Sequence, residues 1–97
     1  MDLNKTARRA YINALSRGKI SESGGHEESA NSLREEFEEF VRSDENSPGD
    51  HMPNVSEAVE ELTDILIGAM TELYRRGVDI EKVVHQKIKY NESRILK

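Results

Sequence analysis

Residues 54–79 read NVSEAVEELTDILIGAMTELYRRGVD. Within them Val55, Val59, Leu62, Ile65, Leu66, Ala69, Met70 and Leu73 recur at steps of three and four, the period of one apolar helix face. Asn54, with Glu57 three residues later, resembles a capping box and places the start of a helix there. Arg75 and Arg76 suit the negative end of that helix, Gly77 can take the left-handed cap, and Asp79 can cap a following helix. Two helices separated by so short a link are antiparallel neighbours. No period-two alternation competes, so the chain is all-α.

Working outward, the fourth helix continues through Ile80, Val83, Val84 and Ile88 to about Arg94. Upstream, DENSPGDHMP at 44–53 concentrates turn formers and two prolines, which makes a surface loop. Before it a second helix from about Glu28 to Ser43 has Ala30, Leu33, Phe37, Phe40 and Val41 as its stripe. The polar, glycine-containing SESGG at 21–25 separates it from a first helix, about Thr6 to Arg17, with Leu3, Ala7, Ala10, Tyr11, Ala14 and Leu15 on one face and Gly18 as its stop. The expectation is a single domain over 1–97: a small antiparallel helical bundle of about four helices. A chain of 97 residues buries a limited core, which favours completion by dimerisation or tetramerisation.

Composition narrows the function classes. The absence of cysteine removes disulfides, thiolate catalysis and zinc-finger sites, and fits a cytoplasmic location. Only 35% of residues are apolar, with no long apolar run and no signal-like N-terminus, so neither a membrane span nor export is expected. A net charge of -5 argues against a nucleic-acid partner and towards cations.

Nineteen acidic residues make acidic pairs common: chance alone predicts about four pairs three apart, and four occur, at 35/38, 36/39, 57/60 and 61/64. Position is more informative than number. On a helical wheel Ser32, Glu36, Glu39 and Ser43 share one flank of the second helix, and Glu61, Asp64 and Gly68 share one flank of the third. Small residues beside carboxylates leave room for a ligand. If the two flanks meet at roughly 5 Å, each like-charged pair repels by about 3 kcal/mol at an effective dielectric near 20. Protonation or a divalent cation then has to relieve the cluster, and an all-oxygen set suits Mg²⁺ or Mn²⁺. Two separate solvent-facing acidic surfaces are the competing reading.

Lys87, Asn91 and Arg94 are spaced four and three apart and continue the line of Ile80, Val83 and Val84. Cations on the inward side of a helix need an anion, either the bundle's own carboxylates or a bound phosphate. Tyr11, Phe37 and Phe40 are aromatics that belong to the core or to a base pocket, and His26, His51 and His85 are isolated.

Taken in order, Glu35-Glu36-Phe37-Glu38-Glu39, Glu61-Leu62-Thr63-Asp64, Gly77-Val78-Asp79, Lys87 and Asn91 to Arg94 resemble the MazG-like branch of the all-α NTP pyrophosphatases. That family's pattern is EExxE, a variable gap, ExxD, a G-[IV]-D turn and a closing helix with K and N-x-x-R, and the likeness covers roughly 32–94. The resemblance implies that Glu36, Glu39, Glu61 and Asp64 hold Mg²⁺, with Mn²⁺ a substitute. It also implies that Glu36 or Glu39 orients the attacking water and that Lys87, Asn91 and Arg94 contact the triphosphate. The implied reaction is hydrolysis of an NTP or dNTP to the monophosphate and pyrophosphate by a homodimer or homotetramer. Family members often carry an aromatic pair after the glycine that ends the first helix, whereas Lys19 and Ile20 stand there in this chain. The alternative is a non-catalytic acidic helical module for interaction or oligomerisation.

Overall fold

Asp2 opens the first helix: its carboxylate accepts from the N–H groups of Asn4 and Lys5, two donors that a helix start otherwise leaves unpaired. From there the computed structural model, which describes residues 2–95, contains four helices, α1 (Leu3–Ser16), α2 (His26–Val41), α3 (Glu57–Arg75) and α4 (Ile80–Ile95). No strand occurs among the described residues; one isolated bridge joins Pro48 to Ser56. No helix of the described residues is long and apolar enough to cross a membrane.

Two glycines end helices by the same device. Gly18 (φ 71°) and Gly77 (φ 72°) both adopt the left-handed conformation that a side chain would strain. Beyond each, the chain folds back on the helix end: Lys19 N–H donates to the Ala14 carbonyl at 2.9 Å and Val78 N–H to that of Leu73 at 3.5 Å. The start of α3 differs from expectation. Ser56, not Asn54, is the cap, its hydroxyl accepting from Val59 N–H at 3.2 Å. The loop before it folds back on α3 and sets that start. Glu57 accepts Asp44 N–H, Glu57 N–H donates to the Ser47 carbonyl, and Glu60 accepts the N–H groups of His51 and Met52, each at 3.0 Å. Gly49 is required here, since a Cβ would lie 2.5 Å from Glu60 Oε1 and 2.8 Å from the Met52 carbonyl.

Both α1 and α2 pack against α3, and they do not pack against each other. Each runs antiparallel to it: Tyr11 packs on Tyr74 with ring centroids 5.2 Å apart and planes tilted by 43°, while Lys19, just past the end of α1, lies near Asp64; Ser29 bonds Glu72 while Leu33 lies over Gly68. A Cβ on Gly68 would sit 3.1 Å from Leu33 Cδ2, so this glycine sets how closely α2 approaches α3. The apolar core is small. Ala7, Met70 and Ile80 are buried at the junction of α1, the C-terminal half of α3 and the first turn of α4, with Leu3, Leu73, Tyr74 and Val78 around them.

The wide apolar stripe of α3 does not form the centre of the bundle. Met70 is buried, but Val59, Leu62 and Leu66 are exposed, Leu66 by 58%. The face of α3 turned towards its neighbours carries Glu60, Glu61, Asp64, Gly68, Thr71 and Glu72 instead. On α2, likewise, Ser29 and Glu36 are buried whereas Phe37 and Val41 are exposed. The antiparallel register of the two helices puts Phe37, Val41, Leu62 and Leu66 on one side of the pair.

Helix α4 is tied at its beginning. Asp79 caps it and accepts from the Asn4 amide, Asn4 Oδ1 accepts Ile80 N–H at 2.7 Å, and Glu81 accepts Leu3 N–H. Past that turn Val83 is half-buried, and Val84, Ile88 and Tyr90 are exposed. The Cα radius of gyration is 15.1 Å, against about 12.5 Å for a compact chain of this length, because α4 projects from the other three helices.

Candidate metal centre

The carboxylates gather because α2 and α3 cross with their polar flanks in register. The pairs 29/72 and 33/68 run in opposite directions along the two helices, and the same register brings 36 beside 64 and 39 beside 61. One oxygen from each of Glu36, Glu39 and Glu61 lies within 4.8 Å of the other two, and the same limit joins Glu60, Glu61 and Asp64. Glu60 is already committed to the 44–56 loop through two backbone N–H groups. Glu36, Glu39 and Glu61 then make one group, and Asp64 joins it through Glu61.

Electrostatics at this set are unbalanced. Burial pushes the Glu61 carboxyl above its ordinary value, and Asp64, Glu39 and Glu60 push it further. Burial also raises Asp64, with Glu36 adding to the shift and Lys19 opposing it. Glu61 Oε2 is buried with no hydrogen-bond partner, a costly state for a carboxylate oxygen in a protein interior. Lys19 alone supplies positive charge, pairing with Glu36; among the described residues no other basic side chain forms an ion pair with any of the four. An orphaned buried oxygen within an all-carboxylate set, without histidine or thiolate, fits a hard divalent cation.

Beside the cluster, in the gap between α1 and α2, lies a cavity of about 150 Å³. Asp64, Gly68 and Thr71 of α3 line it with Asn13 of α1, Ser32 of α2 and Lys19. The room expected beside Gly68 is thus shared: part is cavity, and part is taken by Leu33.

The chain matches no protein-family model, no curated protein and no solved structure.

Lys87, Asn91 and Arg94 are not brought to the carboxylates within one chain. All three are exposed; Lys87 Nζ lies 4.9 Å and Arg94 Cζ 5.8 Å from the centre of the Tyr90 ring, and neither forms an ion pair with another described residue. Of the aromatics, Tyr11 packs on Tyr74, Phe40 is half-buried and Phe37 is exposed, and none of them lines the cavity. Among the histidines, His51 meets Glu60 and belongs to the loop.

Two features escaped the sequence reading. Lys19 enters the cluster from 17 positions before Glu36, without periodicity to mark it; a lone cation after a helix-ending glycine, in an acidic chain, was the available signal. The second is a polar network at the far end of α3. The Arg75 side chain is 9% exposed and its guanidinium donates to Glu28, Glu72 and the carbonyls of Ser21 and Gly24, while Ser29 and Arg76 also bond Glu72. Burial would raise Glu72, but the Ser29, Arg76 and Arg75 contacts outweigh it and hold this carboxyl below its ordinary value. The network fixes the 21–25 turn and with it the relation of α1 to α2.

Proposed function

We propose that this chain is a Mg²⁺-dependent nucleoside triphosphate pyrophosphohydrolase that acts as a homodimer or homotetramer in the cytoplasm. The observation that carries the reading is the convergence of Glu36, Glu39, Glu61 and Asp64 from two antiparallel helices, with a buried, unpartnered Glu61 oxygen among them. The ordered likeness to the MazG-like pattern supplies the reaction class. A bound divalent cation neutralises phosphate oxygens and lowers the pKa of water, the two demands of phosphoanhydride hydrolysis.

In this proposal the four carboxylates hold the cation, and one of Glu36 and Glu39 accepts the proton of the attacking water. The bond between the α- and β-phosphates breaks, and pyrophosphate leaves from the monophosphate. The cavity beside Gly68 admits part of the nucleoside, and Lys87, Asn91 and Arg94 bind the phosphate chain.

Assembly belongs to the same reading. Phe37, Val41, Leu62 and Leu66 leave an apolar side of the α2/α3 pair uncovered by the described residues, and the basic trio stands away from the carboxylates of its own chain. A second copy over that side buries the stripe and completes the bundle.

The test is pyrophosphate release from a panel of NTPs and dNTPs with and without Mg²⁺. Release that requires Mg²⁺ and falls at least about a hundredfold in Glu36→Gln and Asp64→Asn is expected. Absence of release across the panel returns the protein to a non-catalytic helical module.

A further inference from the structure

The position of Lys19 is built rather than incidental. Gly18 in the left-handed region and the Lys19 N–H bond to Ala14 turn the chain off the end of α1. The next residue, Ile20, is 7% exposed and anchored in the cavity wall, and Arg75 grips the carbonyls of Ser21 and Gly24 beyond it. Between these anchors the Lys19 backbone is fixed while its side chain, 38% exposed, reaches over to Glu36, whose own side chain is 8% exposed.

We propose that Lys19 is a tethered counter-ion that occupies Glu36 in the metal-free protein, yields that carboxylate to the divalent cation, and then binds the phosphate chain of the substrate. The inference rests on the metal-centre reading above and adds a residue to it. Four carboxylates face one ammonium, so Lys19 relieves the cluster only partly. A cation placed among Glu36, Glu39 and Glu61 draws on the same carboxylate that Lys19 holds, so the two compete. The ammonium has a flexible four-carbon stem on a fixed backbone, so it can leave Glu36 without disturbing the fold. Once displaced, it remains on the wall of the cavity that it lines together with Asp64, within reach of an incoming phosphate.

The experiment titrates Mn²⁺ into metal-free, nucleotide-free protein by calorimetry. It compares wild type with Lys19→Met, Lys19→Gln, Lys19→Arg and Glu61→Gln, and follows the melting temperature of each in chelator and in Mn²⁺. Removing the competitor should tighten Mn²⁺ binding by roughly fivefold in Lys19→Met and Lys19→Gln, the effect expected of one partly exposed ion pair. It should also enlarge the metal-induced rise in melting temperature, while Lys19→Arg behaves like wild type. With nucleotide present, the neutral variants should show a KM raised about tenfold with kcat little changed, the mark of lost ground-state binding. Equal Mn²⁺ affinity in wild type and the neutral variants, or weaker affinity in the variants, overturns the inference and leaves the metal centre standing. An unchanged KM overturns the transfer to phosphate. No Mn²⁺ binding in wild type, matching Glu61→Gln, removes both readings together.

Discussion

Burial acts on Glu61 and Asp64 in the same direction as the charges of their neighbours, so both carboxyls bind protons more readily in the folded chain than in the unfolded one. Their contribution to stability is therefore complete below the unfolded carboxylate value of about 4 and is lost as pH rises through the folded value. Glu72 has the opposite sign. Its lowered value makes its contribution present above the unfolded value and lost as pH falls through the folded one. The metal-free protein should melt at a higher temperature near about pH 5 than near about pH 7, and the difference should shrink in Glu61→Gln; melts in chelator across that range check it. At neutral pH, Mg²⁺ at about 100 times its dissociation constant should stabilise the wild type by roughly 2.7 kcal/mol and leave Glu61→Gln unmoved.

Arg75 joins the end of α3 to the 21–25 turn and to the first turn of α2. Arg75→Met removes one of the three partners of buried Glu72 and leaves Glu28 and the Ser21 and Gly24 carbonyls without their guanidinium; it should cost about 3 kcal/mol, measured by urea denaturation, with faster tryptic cleavage at Lys19. What could be read from the sequence divides along the same lines. The turn at Gly77 and Asp79 was legible because glycine and aspartate there have local, residue-specific reasons to end one helix and begin the next. The meeting of 36/39 with 61/64 was not legible from spacing, which left two separate acidic surfaces open; only the ordered resemblance led to the expectation that the two flanks face each other. The direction of the α3 stripe was not legible, because a period of 3.6 identifies an apolar face without saying what covers it. Val59, Leu62 and Leu66 look like core by pattern, yet the contacts within the chain are made by the flank carrying Glu61, Asp64 and Gly68. Lys19 was illegible for a related reason: its ion pair with Glu36 depends on where a loop lies, and loops carry no period.

The extended shape follows from these placements. Helices α1 and α2 lean on one side of α3, α4 is held by its first turn, and the apolar side formed by Phe37, Val41, Leu62 and Leu66 has no cover among the described residues. Light scattering should find the wild type as a dimer or larger. Leu66→Glu, which places a charge in the middle of that side, should shift it to monomer and lower its melting temperature. A wild type that is monomeric at micromolar concentration counts against assembly through this side.

The inward flank of α3 has one further consequence. Where most small proteins put leucine and valine, this one puts the groups assigned to its chemistry, so fitness and robustness pull against each other at the same positions. Replacing Glu61 with leucine should harden the metal-free protein against heat and abolish the proposed hydrolysis. Random libraries selected for thermal tolerance alone should accumulate such disarmed variants early.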